Sequence, residues 1–142
     1  MFCEIDVSMV EEISHLYIKA FNDTSWDLEL AKKRLGEFIQ HPQFWGCALK
    51  INDQIVSVAW GTFQQYYDGI RFFLTDLFTA SDFQNLGYGT QLLSYMKRIL
   101  KEKRIKKIML ISSNDNLHNF FYNDKNGFFT RKELCLKQFN IE

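Results

Sequence analysis

The spacing of hydrophobic positions in the first third of the chain predicts two amphipathic helices. Apolar side chains recur every three to four residues over about 8–22 and again over about 27–40, with polar residues between them. Ser8 and Glu11 have the spacing of a capping box, which predicts the start of the first helix. An apolar stretch over 2–7 precedes the helix pair and predicts a short first strand.

The hydrophobic period changes to two from residue 44. This alternation predicts three strands, over 44–51, 55–63 and 70–79. An Asn-Asp turn separates the first two strands, and an Asp-Gly turn separates the second from the third. Turns this short predict that consecutive strands pair as hairpins. We therefore expect an antiparallel meander after the two helices.

A helical period returns after residue 88 and is followed by two further changes of pattern. One apolar stripe predicts a central helix and consists of Leu92, Leu93, Met96, Ile99 and Leu100. Residues 105–111 predict a strand, which a helical crossover would make parallel to the strand before it. A helix over about 115–125 and a terminal β segment over 128–139 complete the prediction. The order β-α-α-β-β-β-α-β-α-β is typical of an α/β (α+β) domain with a mixed central sheet.

The turn between the strand ending at residue 79 and the central helix carries two closely spaced glycines. Gly87 and Gly89 remove the side chains that would keep an anion away from the backbone. The first N–H groups of the following helix have no partner within the helix, and together with the helix dipole they suit a pyrophosphate. A dinucleotide-binding fold is disfavoured, because the third glycine of its fingerprint is replaced by Leu92.

The pattern Gln84-x-x-Gly87-x-Gly89 after a strand resembles the acetyl-CoA motif of the GNAT N-acetyltransferase superfamily. The resemblance implies a GNAT-like mixed central sheet of six or seven strands with about four helices, formed as a single domain by residues 1–142. It also implies that backbone amides of Leu77, Phe78 and Thr79 hold the pantetheine arm of acetyl-CoA and face the thioester carbonyl. The implied pyrophosphate cradle is Gln84, Asn85, Leu86, Gly87, Tyr88, Gly89 and Thr90.

A second motif, Phe121-Tyr122-Asn-Asp-Lys-Asn-Gly127-Phe128, resembles the family's F-Y-x-K-x-G-F. The resemblance implies that Tyr122 is the general acid, and a phenol with a pKa of about 10 is protonated at neutral pH and can protonate a thiolate. The alternative is an aromatic residue on the apolar face of a helix. This chain has one residue more between the tyrosine and the glycine than the usual pattern, and an ungapped count puts Asn123 in the tyrosine position.

The same count puts Asn116 in the position of the family's asparagine that contacts pantetheine, with Asn114 as a second candidate. The resemblance implies no general base at the usual position, since many relatives have a glutamate where this chain has Thr75. The neighbouring Asp76 is a candidate base, although strand alternation directs it to the other face and a structural hydrogen bond is its alternative role. Weaker candidates are His118 and Glu133, and a water relay with no essential residue is also open.

Composition narrows the classes of protein that remain. The chain has 142 residues with 46% apolar content, enough for one hydrophobic core, and its net charge of zero gives no indication of a nucleic-acid partner. Three widely spaced cysteines form no metal-ligand pattern, so we expect free thiols and no metal. No apolar run approaches the ~20 residues of a membrane span. A cytoplasmic protein without a membrane partner is the expectation.

The sequence thus predicts an acetyl-CoA-dependent N-acetyltransferase that transfers the acetyl group directly to a primary amine. Candidate acceptors are a small aminoglycoside-like or polyamine-like molecule, or a peptide. We expect the acceptor surface to come from the first two helices, including Trp26, and from the loop over 64–68. The alternative is a non-catalytic acyl-CoA-binding regulatory module, and a monomer and a homodimer are both open.

Overall fold

A five-stranded mixed sheet organises the first 111 residues. The computed structural model describes the whole chain, Met1 to Glu142, and its residues form two compact units, Met1–Ile111 and Ser112–Glu142. The strands, in both chain order and sheet order, are β1 (Phe2–Glu4), β2 (Phe44–Ile51), β3 (Gln54–Tyr66), β4 (Gly69–Thr79) and β5 (Lys107–Met109).

Strand directions follow the predicted topology. Neighbouring pairs from β1 to β4 are antiparallel, and β4 pairs with β5 in parallel. The meander and the parallel crossover are therefore confirmed. The expected six or seven strands are wrong, because the sheet has five, and the first strand ends at Glu4 instead of residue 7.

Four helices accompany the sheet, as expected: α1 (Val10–Ala20), α2 (Leu28–Gln40), α3 (Tyr88–Glu102) and α4 (Asn116–Asn119). Asp27 caps α2, since its side chain accepts a hydrogen bond from the Leu30 N–H at 2.8 Å. The predicted capping box at Ser8 is wrong. The Asp6 carboxylate accepts the Ser8 N–H at 2.9 Å and caps a 3₁₀ turn, Val7–Met9, that leads into α1.

Both faces of the sheet are covered within the first unit. Seven consecutive residues of β3, from Ile55 to Gly61, are buried, which requires packing on both faces. On one face α1 and α2 form an apolar cluster with the sheet that includes Tyr17, Leu35, Trp60 and Phe78. The fully buried Leu92, Leu93, Met96 and Leu100 of α3 are not part of that cluster, and α3 contacts β2, β3 and β4, so it covers the other face.

The second unit, Ser112–Glu142, contains α4 and a π-helical turn, Phe120–Lys125, and no strand. The predicted terminal β segment over 128–139 is therefore wrong. Four of its large apolar side chains are exposed, namely Phe129, Leu134, Leu136 and Phe139. Alternation and β-branched or apolar content describe a surface that suits a sheet, but a strand also needs a neighbour to complete its hydrogen bonds. None of the four helices has the length and hydropathy required to cross a membrane.

Candidate active site

The C-terminal half of β4 has an open edge. Its pairing with β3 continues to Thr79, whereas its pairing with β5 covers only residues 71–73, because β5 is three residues long. On the β5 side, residues 74–79 therefore have no partner strand in the sheet. Backbone groups that point to this edge are available to a ligand.

Strand alternation identifies which backbone groups point to the open edge. The Ala80 N–H donates to the Val56 carbonyl at 2.8 Å, so the Phe78 N–H also points towards β3, and those of Leu77 and Thr79 point away. The Thr79 carbonyl also points away from β3, since it accepts a hydrogen bond from Gln84 Nε2 at 3.1 Å. Leu77 and Thr79 therefore offer backbone groups to a ligand, whereas the backbone of Phe78 faces β3.

A β-bulge lies where β4 leaves β5. Trp60 of β3 is opposite Asp76 and the next residue, Gly61, is opposite Leu74, so Thr75 has no counterpart. Such an extra residue bends its strand and is common beside active sites. A Cβ atom on Gly61 would lie 1.9 Å from the Phe73 carbonyl oxygen, so only glycine allows this close approach. We missed Gly61 in the sequence, although a lone glycine in a strand is a recognised sign of a bulge.

The glycine turn joins this edge directly to α3. Gly87 is the N-cap of α3 with φ +85°, no side chain caps the helix, and the first bond within the helix runs from the Gln91 N–H to the Gly87 carbonyl at 3.0 Å. A Cβ atom on Gly87 would meet nothing within 4 Å. An uncapped helix N-terminus beside open space fits the pyrophosphate of acetyl-CoA.

Contacts with α1 hold the turn in place. Lys19 of α1 forms an ion pair with Asp82 at 3.2 Å, and its carbonyl accepts a hydrogen bond from the Ser81 hydroxyl at 3.1 Å. With the Gln84 bond to Thr79, these contacts position the turn on the end of β4. The structure thus brings together two groups of residues that the resemblance singled out: the end of β4 and the turn over 84–90.

The candidate base Asp76 is occupied by an ion pair. Its Oδ2 accepts a hydrogen bond from Arg34 Nε of α2 at 3.2 Å, and its side chain is only 12% exposed. Burial raises the pKa of Asp76, and Arg34 opposes this shift. The interaction is the structural hydrogen bond that we considered as the alternative to a base. Thr75, at the position of the family's glutamate, is exposed and has no acid group.

Arg34 also lies in an open pocket along α2 that sequence analysis did not identify. The pocket has a volume of about 490 Å³ and is lined by Trp26, Leu30, Lys33, Arg34, Glu37, Phe38 and His41. The Arg34 guanidinium carbon lies 5.7 Å from the Trp26 ring centroid and 5.2 Å from that of Phe38. The expected role of Trp26 in an acceptor surface is compatible with this position. In the loop over 64–68, Tyr66 packs under the Arg71 guanidinium at 3.8 Å, while Tyr67 is exposed.

Tyr122 lies in the π-helical turn of the second unit. Its ring packs edge-to-face on Phe121 at 4.9 Å and on Phe128 at 5.6 Å, and its carbonyl accepts the Phe128 N–H at 2.9 Å. A π turn contains one residue more than an α turn. The additional residue between Tyr122 and Gly127 is therefore accommodated locally. Asn123, the alternative from an ungapped count, uses its side chain to bond Thr130 at 3.1 Å.

The remaining predicted residues of the second unit are exposed, except the half-buried His118, and three of them have side-chain partners nearby in the sequence. Asn114 Oδ1 accepts a hydrogen bond from the Asn119 side chain at 3.1 Å, and Asn116 is the first residue of α4. His118 Nδ1 lies 2.8 Å from the Asp115 carboxylate, which caps α4. Glu133 pairs with its neighbour Arg131. These local partners provide no indication that His118 or Glu133 is a base.

A bulged, half-open strand that ends in a glycine turn at a helix N-terminus is the arrangement of a CoA-dependent acyltransferase, and comparisons with known proteins agree. The sequence model of the acetyltransferase (GNAT) family matches residues 7–128. The chain therefore belongs to the GNAT acetyltransferase family. A search of curated proteins finds no match.

Solved structures show the same fold. A probable acetyltransferase superposes with a TM-score of 0.84 at 14% identity, covering 100% of this chain and 98% of that one. A GNAT family acetyltransferase from Staphylococcus aureus subsp. aureus gives 0.76 at 20% identity, covering 98% of both chains. Aminoglycoside N-acetyltransferase AAC(6')-Iy, in complex with CoA, gives 0.78 at 13% identity, covering 97% and 93%. At these identities the likeness establishes the fold.

Proposed function

We propose that the protein is an acetyl-CoA-dependent N-acetyltransferase that transfers the acetyl group directly to a primary amine in a ternary complex. The observation that carries the proposal is the open, bulged edge of β4 leading into the uncapped N-terminus of α3. We propose that both compact units, residues 1–142, are parts of one catalytic domain, since the family match over residues 7–128 includes most of the first unit and part of the second.

The proposed binding residues divide into three groups. The N–H groups of Leu77 and Thr79 bind the pantetheine arm, and that of Leu77 is directed at the carbonyl oxygen, where negative charge develops during acyl transfer. The turn over 84–90 cradles the pyrophosphate. Asn114 and Asn116 are proposed as further pantetheine contacts. Acetyl-CoA supplies the acetyl group as an activated thioester.

Two protons must move during the reaction. We propose that Tyr122 protonates the departing thiolate, because its hydroxyl is protonated at neutral pH and a small phenol-to-thiolate difference in pKa allows the transfer. The amine must lose a proton to attack. Asp76 is bonded to Arg34, so we assign this step to water at the open edge of β4, with Asp76 as the alternative base.

The acceptor is proposed to be a small-molecule amine or a peptide. Aminoglycoside acetyltransferases are among the structures with this fold, one of them from an uncultured soil metagenomic sample in complex with sisomicin at 14% identity. This supports an amine acceptor of the aminoglycoside or polyamine type as one candidate. The alternative function, a non-catalytic acyl-CoA-binding regulatory module, is favoured by the absence of a free carboxylate at positions 75 and 76.

Calorimetry with acetyl-CoA and a thiol-release assay with a panel of amines test the proposal. We expect Gly87→Val and Gly89→Val to weaken acetyl-CoA binding while the protein stays folded, since Gly87 has a left-handed φ and a branched side chain would fill the space over the helix N-terminus. Gly36→Ala, in α2, is the matched control, because its added Cβ meets nothing within 4 Å.

The outcomes separate the two functions. Acetyl-CoA binding with thiol release on at least one amine supports the enzyme. Binding that depends on Gly87 and Gly89 without release on any amine supports the regulatory module. If both valine variants bound acetyl-CoA as tightly as the parent, the proposed cradle would be wrong.

A further inference from the structure

The pocket along α2 combines hydrogen-bond donors with aromatic rings. Lys33, Arg34 and His41 line it, together with the rings of Trp26 and Phe38. Lysine and arginine side chains can only donate hydrogen bonds. His41 Nδ1 accepts the Gln43 N–H at 3.0 Å, so the neutral ring carries its proton on Nε2 and donates from that atom. The single carboxylate of the pocket wall belongs to Glu37.

The pocket wall has no excess of negative charge that would attract a polycation. Lys33 has no ion-pair partner in the structure, although Glu37 is one helical turn away. Asp76 does not line the pocket and is already bonded to Arg34. The charges of Arg34 and Asp76 offset each other in their ion pair, so a polyamine would meet the Lys33 ammonium and a single available carboxylate, that of Glu37. A carboxylate would instead meet the Lys33 ammonium and the N–H groups of Arg34 that Asp76 does not use.

The residues around Arg34 restrict its side chain in an orientation that can bind a carboxylate. Its Nε–H is bonded to Asp76, and the Trp26 and Phe38 rings pack near the guanidinium, so these contacts restrict the orientation of the Nη groups. Tyr17 is also close to this ion pair: burial and then the Asp76 carboxylate raise the pKa of Tyr17, and Arg34 opposes the rise. A guanidinium held in this way binds a carboxylate with little further loss of side-chain entropy.

The pocket is coupled to the proposed site of acetyl transfer. Arg34 extends from the pocket to Asp76, which lies between the bulge residue Thr75 and Leu77 of β4. We propose, on the basis of the proposed acetyltransferase function, that the acceptor is an amine that also carries a carboxylate and an apolar group, as an amino acid or a short peptide does. Lys33 and Arg34 bind the carboxylate, and Trp26 and Phe38 contact the apolar group.

Matched acceptors test this substrate class. The thiol-release assay compares L-phenylalanine and L-leucine with their amides, and with spermidine and sisomicin, with rates corrected to the same fraction of neutral amine. We expect kcat/KM for the amino acids to exceed that for the amides by at least about 10-fold, the lower end of what a hydrogen bond to a charged group contributes. Equal rates for acids and amides, or a preference for the polycations, would overturn the proposal.

A binding experiment gives a readout that needs no turnover. Calorimetry measures N-acetyl-L-phenylalanine and N-acetyl-L-phenylalaninamide on the parent and on Lys33→Glu, a change at an exposed residue without an ion pair. We expect the variant to lose at least about 10-fold in affinity for the acid and to bind the amide as before. Lys101→Glu, at an exposed residue of α3 outside the pocket, is the matched control and should bind both as the parent does.

The two experiments distinguish failure of this inference from failure of the proposed function. If the acid binds preferentially and Lys33→Glu removes the preference, but no amine is acetylated, the pocket assignment stands and the enzyme assignment fails. If amines are acetylated and neither experiment shows a preference for the carboxylate, the enzyme assignment stands and the pocket assignment fails.

Discussion

The Cys47 thiol of β2 is completely buried, and burial raises its pKa to about 12 from the 9.0 of an exposed thiol. Between these two values the unfolded chain loses the thiol proton and the folded chain keeps it. The folded state then binds more protons, so stability falls as the pH rises. The contribution of this thiol is fully present below pH 9 and decreases above it.

We therefore predict that the free energy of unfolding decreases more steeply above pH 9 in the parent than in Cys47→Ala. The difference in slope should approach about 1.4 kcal/mol per pH unit, the value for one proton. Urea denaturation from pH 8 to pH 10.5 measures it. Cys135→Ala, at an exposed thiol, is the control and should retain the parental slope. Identical slopes for the parent and Cys47→Ala would contradict the raised pKa.

Tyr122 is the proposed general acid, and substitution by phenylalanine removes its hydroxyl while keeping its ring. We predict that Tyr122→Phe lowers the single-turnover rate by about 100-fold or more, the effect of a well-placed acid, with little change in acetyl-CoA affinity. The ring contacts with Phe121 and Phe128 should survive. Tyr95→Phe, which also keeps its stacked ring at 4.4 Å from Phe2, is the control. An unchanged single-turnover rate in Tyr122→Phe would remove this residue from the mechanism.

At the level of elements, the proposed function depends on how β3 and β4 pair. The bulge at Thr75 requires the close approach of Gly61 to Phe73, and the following residue, Asp76, is fixed to α2 by Arg34. Two contacts therefore hold this half of β4 while leaving its β5-side edge open: the glycine contact with β3 and the ion pair with α2. Neither contact is between residues adjacent in sequence.

Gly61→Ala tests the glycine contact. The added Cβ would lie 1.9 Å from a backbone oxygen, so the strands must separate, and we predict a loss of about 1–3 kcal/mol in the free energy of unfolding, as for other overpacked sites. Acetyl-CoA binding should weaken as the bulge is displaced. Urea denaturation and calorimetry measure the two effects.

The matched control for Gly61→Ala is again Gly36→Ala, which should keep or increase stability, because alanine favours a helix interior by about 1 kcal/mol over glycine. Parental stability and acetyl-CoA affinity in Gly61→Ala would show that the close contact is not required.

At the level of the whole molecule, regular structure is unevenly distributed between the two units. Met1–Ile111 contains all five strands and the buried apolar cluster, whereas residues 128–142 contain neither a helix nor a strand and expose five large apolar side chains. Backbone amides outside regular hydrogen-bonded structure exchange quickly with solvent.

We predict that hydrogen exchange of the intact protein is slowest in β3, around Val56 and Val58, and fast throughout residues 129–142. Mass spectrometry of peptides from both regions measures the difference. Protection of residues 132–139 to the level of β3 would contradict the structure and restore the terminal β segment that the hydrophobic alternation predicts.

The sequence by itself determined the features that depend on local periodicity and local chemistry. The helices α1 to α3, the meander, the parallel crossover and the glycine turn were all predictable, because the hydrophobic period reports which face is buried and glycine reports a special backbone conformation. The sequence motifs also indicated the family. The additional residue before Gly127 was visible, but its accommodation in a π turn was not, because α and π turns have similar local preferences.

Only the tertiary structure decided features that depend on residues distant in the chain. The ion pair of Arg34 and Asp76 joins residues 42 positions apart, and no local pattern reports such a pair. The same is true of the open edge of β4, which exists because β5 is only three residues long, and of the missing terminal strand, which depends on the presence of a neighbouring strand. Strand pairing and ion pairs of this kind form when separate elements pack together. The sequence pattern within one element does not specify which other element it will contact.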